Sequence, residues 1–175
     1  MDNRAIILAN SIWFPEHNKN DVLTDFQWIN DNLLNSGKLT AEDFSTTELE
    51  LLFDLRKLVI EVLETDEFCN YIESINEYMA KASFKHKVIF KNDQLIRYHV
   101  SGNNLQEQLL SKVASDLVKL YINTQTIVKR CMNDECQFFY VDNSKNKSKK
   151  FCSNRCSNLI KVRRHRKNKS QQDHI

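Results

Sequence analysis

Four cysteines, Cys131, Cys136, Cys152 and Cys156, stand near the C-terminus in the order C-x4-C-x15-C-x3-C. Two close pairs separated by a loop of that length can bring four sulfurs tetrahedrally around one ion, which is what a closed structural zinc site requires. One structural zinc is therefore the expected cofactor, with an iron–sulfur cluster or unliganded thiols as the alternatives. Four protein ligands leave no coordination position open, so such an ion holds a fold together and does not activate water. His165, nine residues beyond Cys156, could stand in for a thiolate, although its place in a run of cations reads as a solvated histidine. The fifth cysteine, Cys69, sits among Phe68, Tyr71 and Ile72 and reads as a small buried hydrophobe.

The same stretch carries most of the positive charge. Met1 to Val128 hold 12 Lys and Arg against 19 Asp and Glu, a net of −7, whereas Lys129 to Lys169 hold 13 against 3, a net of +10. The overall +2 of this 175-residue chain conceals two parts built for different partners. Length and composition fit one main globular domain with a small satellite. The apolar run from Ala5 to Asn10 is too short for a membrane span or a signal-peptide core. No membrane partner is expected, and the expected location is the cytoplasm, whose reducing pools favour metal ligation over disulfides for clustered thiols.

The elements that must position these residues are mostly helical. Leu23, Phe26, Ile29 and Leu33 recur at helical spacing and predict one helix over 21–34. Thr40 with Asp43 resembles a capping box opening a short helix around "TAEDF", and Thr47 with Glu50 repeats the signal. Behind it Leu51, Leu55, Leu58, Val59, Val62 and Leu63 predict a long amphipathic helix. A further helix is expected over 66–82 with Ile72, Ile75 and Met79 inward. "HKVIF" and "QLIRYHV", around a polar turn, predict a β-hairpin. Leu105, Leu109, Val113, Leu117, Leu120 and Tyr121 then predict a helix over 104–126 that leads straight into Cys131, with no Gly or Pro to loosen the junction.

Between the cysteine pairs, "QFFYVDNSKNKSKKF" reads as a hairpin with Phe139 and Val141 on one side, a turn over 142–147 and Phe151 on the return. Knuckle, hairpin and then a helix from the second pair is the order of a treble-clef finger. The fold expected is mainly α, of the α+β class: a helical domain with one β-hairpin over 1–128, a treble-clef-like zinc finger over 129–169, and a disordered tail over 170–175.

The helix after Cys156 carries Lys161, Arg163, Arg164, His165, Arg166, Lys167 and Lys169 within nine positions, leaving Leu159, Ile160 and Val162 to pack on the finger. Such a helix repels itself unless an anion meets it, and nucleic-acid phosphate is the natural partner. Lys145, Lys147, Lys149 and Lys150 of the hairpin extend the expected contact. Asn158 and Arg164 are the candidates for base edges, since Asn can pair with adenine and Arg with guanine. A solvated tail that only maintains solubility is the alternative.

The segments "RCMNDEC", "FFYVDNSKNKSKKFC" and "CSNLIKVRRHR" resemble the CGNR zinc finger, with its cysteine knuckle, "lFlDxSrnxxrrfC" hairpin and "CGNRxKvrRhR" helix. Asn158, Lys161, Arg163, Arg164 and Arg166 match, whereas Ser157 and Leu159 replace the signature's Gly and Arg. Upstream, "ILANSI", "DVLTDFQWI", "LFDLRKLV" and "SINEYM" resemble the ABATE domain that precedes this finger. The family is described as transcriptional regulators, so the resemblance implies DNA binding.

In the helical domain Asn10, Arg56, Asn76 and His99 lie beside apolar periodic positions and are candidates for lining an effector pocket, against the plainer reading that they cap, pair or face solvent. Neither a glycine-rich phosphate loop nor an HExxH or nucleophile-elbow motif occurs, so no enzymatic activity is expected. A DNA-binding regulator with duplex DNA as partner, a sensor or dimerisation domain and a homodimeric state is the first reading. An RNA- or ribosome-associated module, and an enzyme with a structural finger, are the others.

Overall fold

A computed structural model describes residues 3–13, 21–34, 45–65, 67–82, 84–91, 94–101, 105–122 and 125–172. The long apolar repeats fold as helices: α3 is Thr46–Thr65 and α5 is Leu105–Ile122. α1, Arg4–Asn10, packs against both, and α4, Ile72–Ala80, packs on α5. Leu8, Leu52, Leu55, Val59, Val62, Ile75, Leu109, Val113 and Leu117 are fully enclosed between them. Each such side chain contributes roughly 1.5–3 kcal/mol relative to exposure, which makes this contact set the source of the unit's stability. In α3 the inward stripe runs through Leu52, so Leu51, expected inward, is only half-buried.

Residues 21–34 are not one helix. A single 3-10 turn, Val22–Thr24, is followed by a fresh start at Asp25, which caps α2, Phe26–Ile29. Asp21 accepts from the Leu23 N–H, and Asp25 accepts from the Gln27 and Trp28 N–H groups. Short acidic side chains compete in this way for backbone donors and divide a helix that apolar spacing alone would continue. A π-helical turn, Asn30–Leu34, extends α2, and Arg4 Nε donates to the Leu33 carbonyl at 2.8 Å. Leu23, Ile29 and Leu33 are buried as expected, joined by Trp28 and Leu34.

Polar ties close the unit. Asn3 caps α1 through Oδ1 and donates from Nδ2 to the Asp116 carbonyl, while Arg4 pairs with the Asp116 carboxylate at 2.9 Å. The box that opens α3 is Ser45 with Glu48 and not Thr47 with Glu50: Ser45 N donates to Glu48 Oε2 at 2.8 Å, and Glu48 N to Ser45 Oγ at 3.3 Å. The short helix expected from Thr40 lies outside the described residues. A 3-10 turn, Phe68–Tyr71, precedes α4 and carries Cys69 at the surface, so that cysteine is exposed and not buried as expected. Ile72 likewise is exposed, because the turn ends just before it and rotates the start of α4 outward.

β1, Phe84–Lys91, and β2, Gln94–Ser101, form the expected antiparallel hairpin, with His86 opposite His99 and Lys91 opposite Gln94. α5 ends at Ile122, short of the expected 126, and residues 123–124, where a stiff junction was expected, lie outside the described residues. Beyond them β3, Val128–Arg130, pairs with β4, Phe139–Val141, and α6 is Asn154–Gln172. The finger's hairpin is therefore closed by residues before the first cysteine, and Phe151 is not in its return strand. α6 also runs through 170–172, where a frayed tail was expected, and residues 173–175 lie outside the described residues. The chain divides into two compact units, residues 1–122 and 123–175. Among the described residues, no helix is long and apolar enough to cross a membrane.

Candidate metal centre and cationic helix

The knuckle between β3 and β4 places the first cysteine pair. Cys131 N donates to the Phe138 carbonyl and Cys136 N to the Asn133 carbonyl, each at 2.8 Å. This turn needs a left-handed residue immediately after Cys136, and Gln137 supplies it at φ 48°. The second pair sits at the root of α6: the Cys156 N–H points to Ser153 Oγ at 3.4 Å, and Met132 N donates to the Lys150 carbonyl, holding the incoming segment against the knuckle.

The four sulfurs all lie within 4.8 Å of one another, with Cys136 to Cys152 at 3.5 Å and Cys152 to Cys156 at 3.7 Å. A tetrahedron of Zn–S bonds near 2.3 Å has an edge of about 3.8 Å, so the cage has the size zinc demands. Two donors outside the cage aim at sulfur: Cys152 N at Cys131 Sγ, 3.4 Å, and Asn133 Nδ2 at Cys156 Sγ, 3.6 Å. Such donors orient ligands and stabilise thiolate charge.

Electrostatics fits the same purpose. Burial pushes the Cys136 and Cys152 thiols up, because desolvation disfavours their charged form, and the neighbouring Cys156 thiol adds to the rise in both. Burial also opposes ionisation of Cys156, but the Asn133 amide and neighbouring thiols outweigh it and bring that group down to about 7. Four adjacent thiolates are compatible only with a cation among them, and a divalent ion supplies that charge. The residues present thus fit one zinc, held by Cys131, Cys136, Cys152 and Cys156 as a closed cross-link.

A second device fixes the loop between the pairs. Asp142, fully enclosed, accepts from Lys129 Nζ at 2.7 Å, Ser144 Oγ at 2.6 Å, and the Ser144 and Lys149 N–H groups at 3.0 Å. Burial alone would raise this carboxyl, but the Lys129 ammonium and the Ser144 donors hold it well below the usual carboxylate range. Lys129 Nζ also donates to the Lys147 carbonyl, and Tyr140 Oη to the Lys149 carbonyl at 2.7 Å. Phe139 and Tyr140 form the small apolar centre beneath.

Knuckle, sulfur cage and Asp-x-Ser latch stand in one order along one segment. Residues 128–169 match the family model of the CGNR zinc finger. No curated protein matches the chain. The CGNR finger occupies the C-terminal unit alone, and its signature is altered here at Ser157, half-buried in the first turn of α6, and at Leu159, exposed.

Of the expected nucleic-acid residues, Asn158, Lys161, Arg163, Arg164, His165, Arg166 and Lys167 are all exposed on α6, as are Lys145, Lys149 and Lys150 on the loop. The structure divides them. Lys147 donates to the Asp142 carbonyl at 2.9 Å and Lys149 to the Cys152 carbonyl at 3.1 Å, so both ammonium groups serve the finger itself. Arg163 pairs with Glu135 of the knuckle at 2.5 Å and anchors α6. The apolar residues of α6 do less than expected, because Ile160 is half-buried whereas Leu159 and Val162 are exposed. Lys129, Asn133, Glu135 and Asp142 were not anticipated in these roles; of these, only Asp142 had a local signal, the Asp-x-Ser pattern of an Asx turn.

Of the effector-pocket candidates, the side chains of Asn10, Arg56 and Asn76 lie among the described residues. Arg56 is buried but committed, donating to both carboxylate oxygens of Asp21 and to Ser11 Oγ, with its guanidinium over the Phe53 ring. Asn10 is buried at the end of α1, Asn76 faces solvent on α4, and the His99 side chain lies outside what is described.

Proposed function

We propose that this protein is a DNA-binding transcriptional regulator whose zinc finger holds a cationic helix against duplex DNA. Its helical unit, on this reading an ABATE domain, senses a small molecule or forms a homodimer. One observation carries the proposal: every position from Lys161 to Lys169 is exposed, seven of the nine are Lys, Arg or His, and α6 contains no Asp or Glu. Ligation of zinc by four thiolates adds two net negative charges to the segment's +10, leaving about +8 for a polyanion to meet.

The zinc serves structure and not turnover, because four sulfurs fill its coordination and offer substrate no open position. Thiols that must stay reduced to hold zinc belong in the cytoplasm. A single finger offers roughly 600–1,000 Å² of contact, which a dimer would double. The test is duplex binding against salt: about five phosphate contacts require a slope of log affinity on log salt near −4 to −5. Structured RNA binding as well or better would move the assignment to an RNA-associated module. A turnover activity that survives deletion of residues 158–175 would make it an enzyme.

A further inference from the structure

We propose that α6 reads base edges along one ridge, Asn158, Val162 and His165, while Arg164 and Arg166 straddle that ridge and grip the phosphate backbone on either side. The inference rests on the duplex-binding reading above. It assigns specificity to residues chosen by the helix's fixed orientation in the finger.

That orientation is set by three contacts on one side of α6. Cys156 lies in the sulfur cage, Ile160 is half-buried, and Arg163 is paired with Glu135 of the knuckle. Successive residues are about 100° apart around a helix, so these positions define a face turned toward the knuckle. Asn158 and His165 fall on the opposite face, two turns apart, with Val162 between them and slightly to one side. Arg166 falls about a quarter-turn to one side of the ridge and Arg164 about a third of a turn to the other. A helix laid in the major groove with its ridge toward the floor therefore points these two arginines at the two walls.

The ridge carries an amide, an aliphatic group and an imidazole before Lys169 continues it one turn beyond His165, whereas its flanks, from Lys161 on, are cationic. Asn158 is an exposed amide that can pair with adenine on two atoms. Val162 is 49% exposed in a stretch otherwise made of cations and Asn, a placement without a packing explanation. Its methyl groups suit the thymine methyl. Asn158 and Val162 are one turn, about 6 Å, apart, so the preferred duplex should contain an adenine and a thymine within about two base-pair steps. Arg164, which its residue type alone makes a guanine reader, is by orientation a phosphate contact.

The experiment selects duplexes from a randomised pool with the zinc-loaded full chain. Asn158→Ala, Val162→Ala and Arg164→Ala are then compared on the selected duplex, on single-base variants of it and on an RNA hairpin across salt, with zinc content confirmed for each. Asn158→Ala should lose about 10- to 100-fold in discrimination at one A·T pair and keep its affinity for unrelated duplex. Val162→Ala should lose preference at a thymine. Arg164→Ala should weaken all duplexes alike and lower the salt slope by about one, with the selected sequence unchanged. Relaxed selection by Arg164→Ala and not by Asn158→Ala would overturn the assignment, as would duplex binding without sequence preference. Either result leaves the duplex-binding reading standing. Loss of salt-dependent duplex binding in the unaltered protein, or a preference for the RNA hairpin, would overturn that reading itself.

Discussion

A thiolate competes with its own proton for the metal, and the sulfur cage makes that competition steep. Acidification protonates the ligands, so zinc affinity should fall as pH falls, and the fall should steepen below about 7, where Cys156 also takes up a proton. Titration with a metal indicator from pH 6 to 8 checks this. Replacing Cys152 with Ser should release the ion and unfold the finger while the thermal transition of residues 1–122 persists, as calorimetry would record; joint collapse would contradict the two-unit division. In the helical unit, burial works against ionisation of Asp21 and Asp116, yet Arg56 for the first and Lys119 and Arg4 for the second hold both carboxyls below their usual range. A folded value lower than the unfolded one adds stability that is complete at neutral pH. It is lost below about pH 4, where the unfolded chain binds protons that the folded one refuses. Urea midpoints for residues 1–122 should therefore be flat from pH 7 to 5 and drop below 4.

At the scale of elements, boundaries are set by caps and turns that apolar spacing does not reveal. Ser45→Ala removes one half of the box that opens α3 and should cost about 1 kcal/mol in denaturant unfolding of the helical unit. Gln137 holds a left-handed conformation that costs an ordinary residue roughly 1–2 kcal/mol. Gln137→Gly should therefore raise finger stability by up to about 1 kcal/mol, and Gln137→Val, branched at Cβ, should lower it by at least as much. The existence of α3, α5 and the β1–β2 hairpin was readable from periodicity and turn residues. The division of residues 21–34 was not, because Asp21 and Asp25 compete for backbone donors only in a particular local geometry. The finger hairpin was displaced for a related reason: its partner strand, Val128–Arg130, is three residues long and lies next to a helical pattern that overrode it.

For the whole molecule, zinc is a folding ligand of one unit alone. A chelator strong enough to strip the ion should abolish salt-dependent duplex binding and the exchange protection of the knuckle amides, while the far-UV signal of α3 and α5 remains. Restoring zinc should restore both. Hydrogen exchange on the full chain reads the two units separately, and retained finger protection without metal would show that the Asp142 latch suffices by itself.

By itself the sequence determined that a metal is held, by which four thiols, and that a cationic segment follows them, because ligand type, ligand spacing and charge are local properties of the chain. Tertiary structure alone decided which cations are spent inside the finger, as Lys129, Lys147 and Lys149 are, and which remain at the surface of α6. It also decided which side of that helix faces away from the knuckle, since the side is set by Cys156 in the sulfur cage, by Ile160, and by Glu135 meeting Arg163 across 28 positions of chain. Contacts between residues so far apart depend on the path of the backbone between them, and no local pattern of side chains specifies that path.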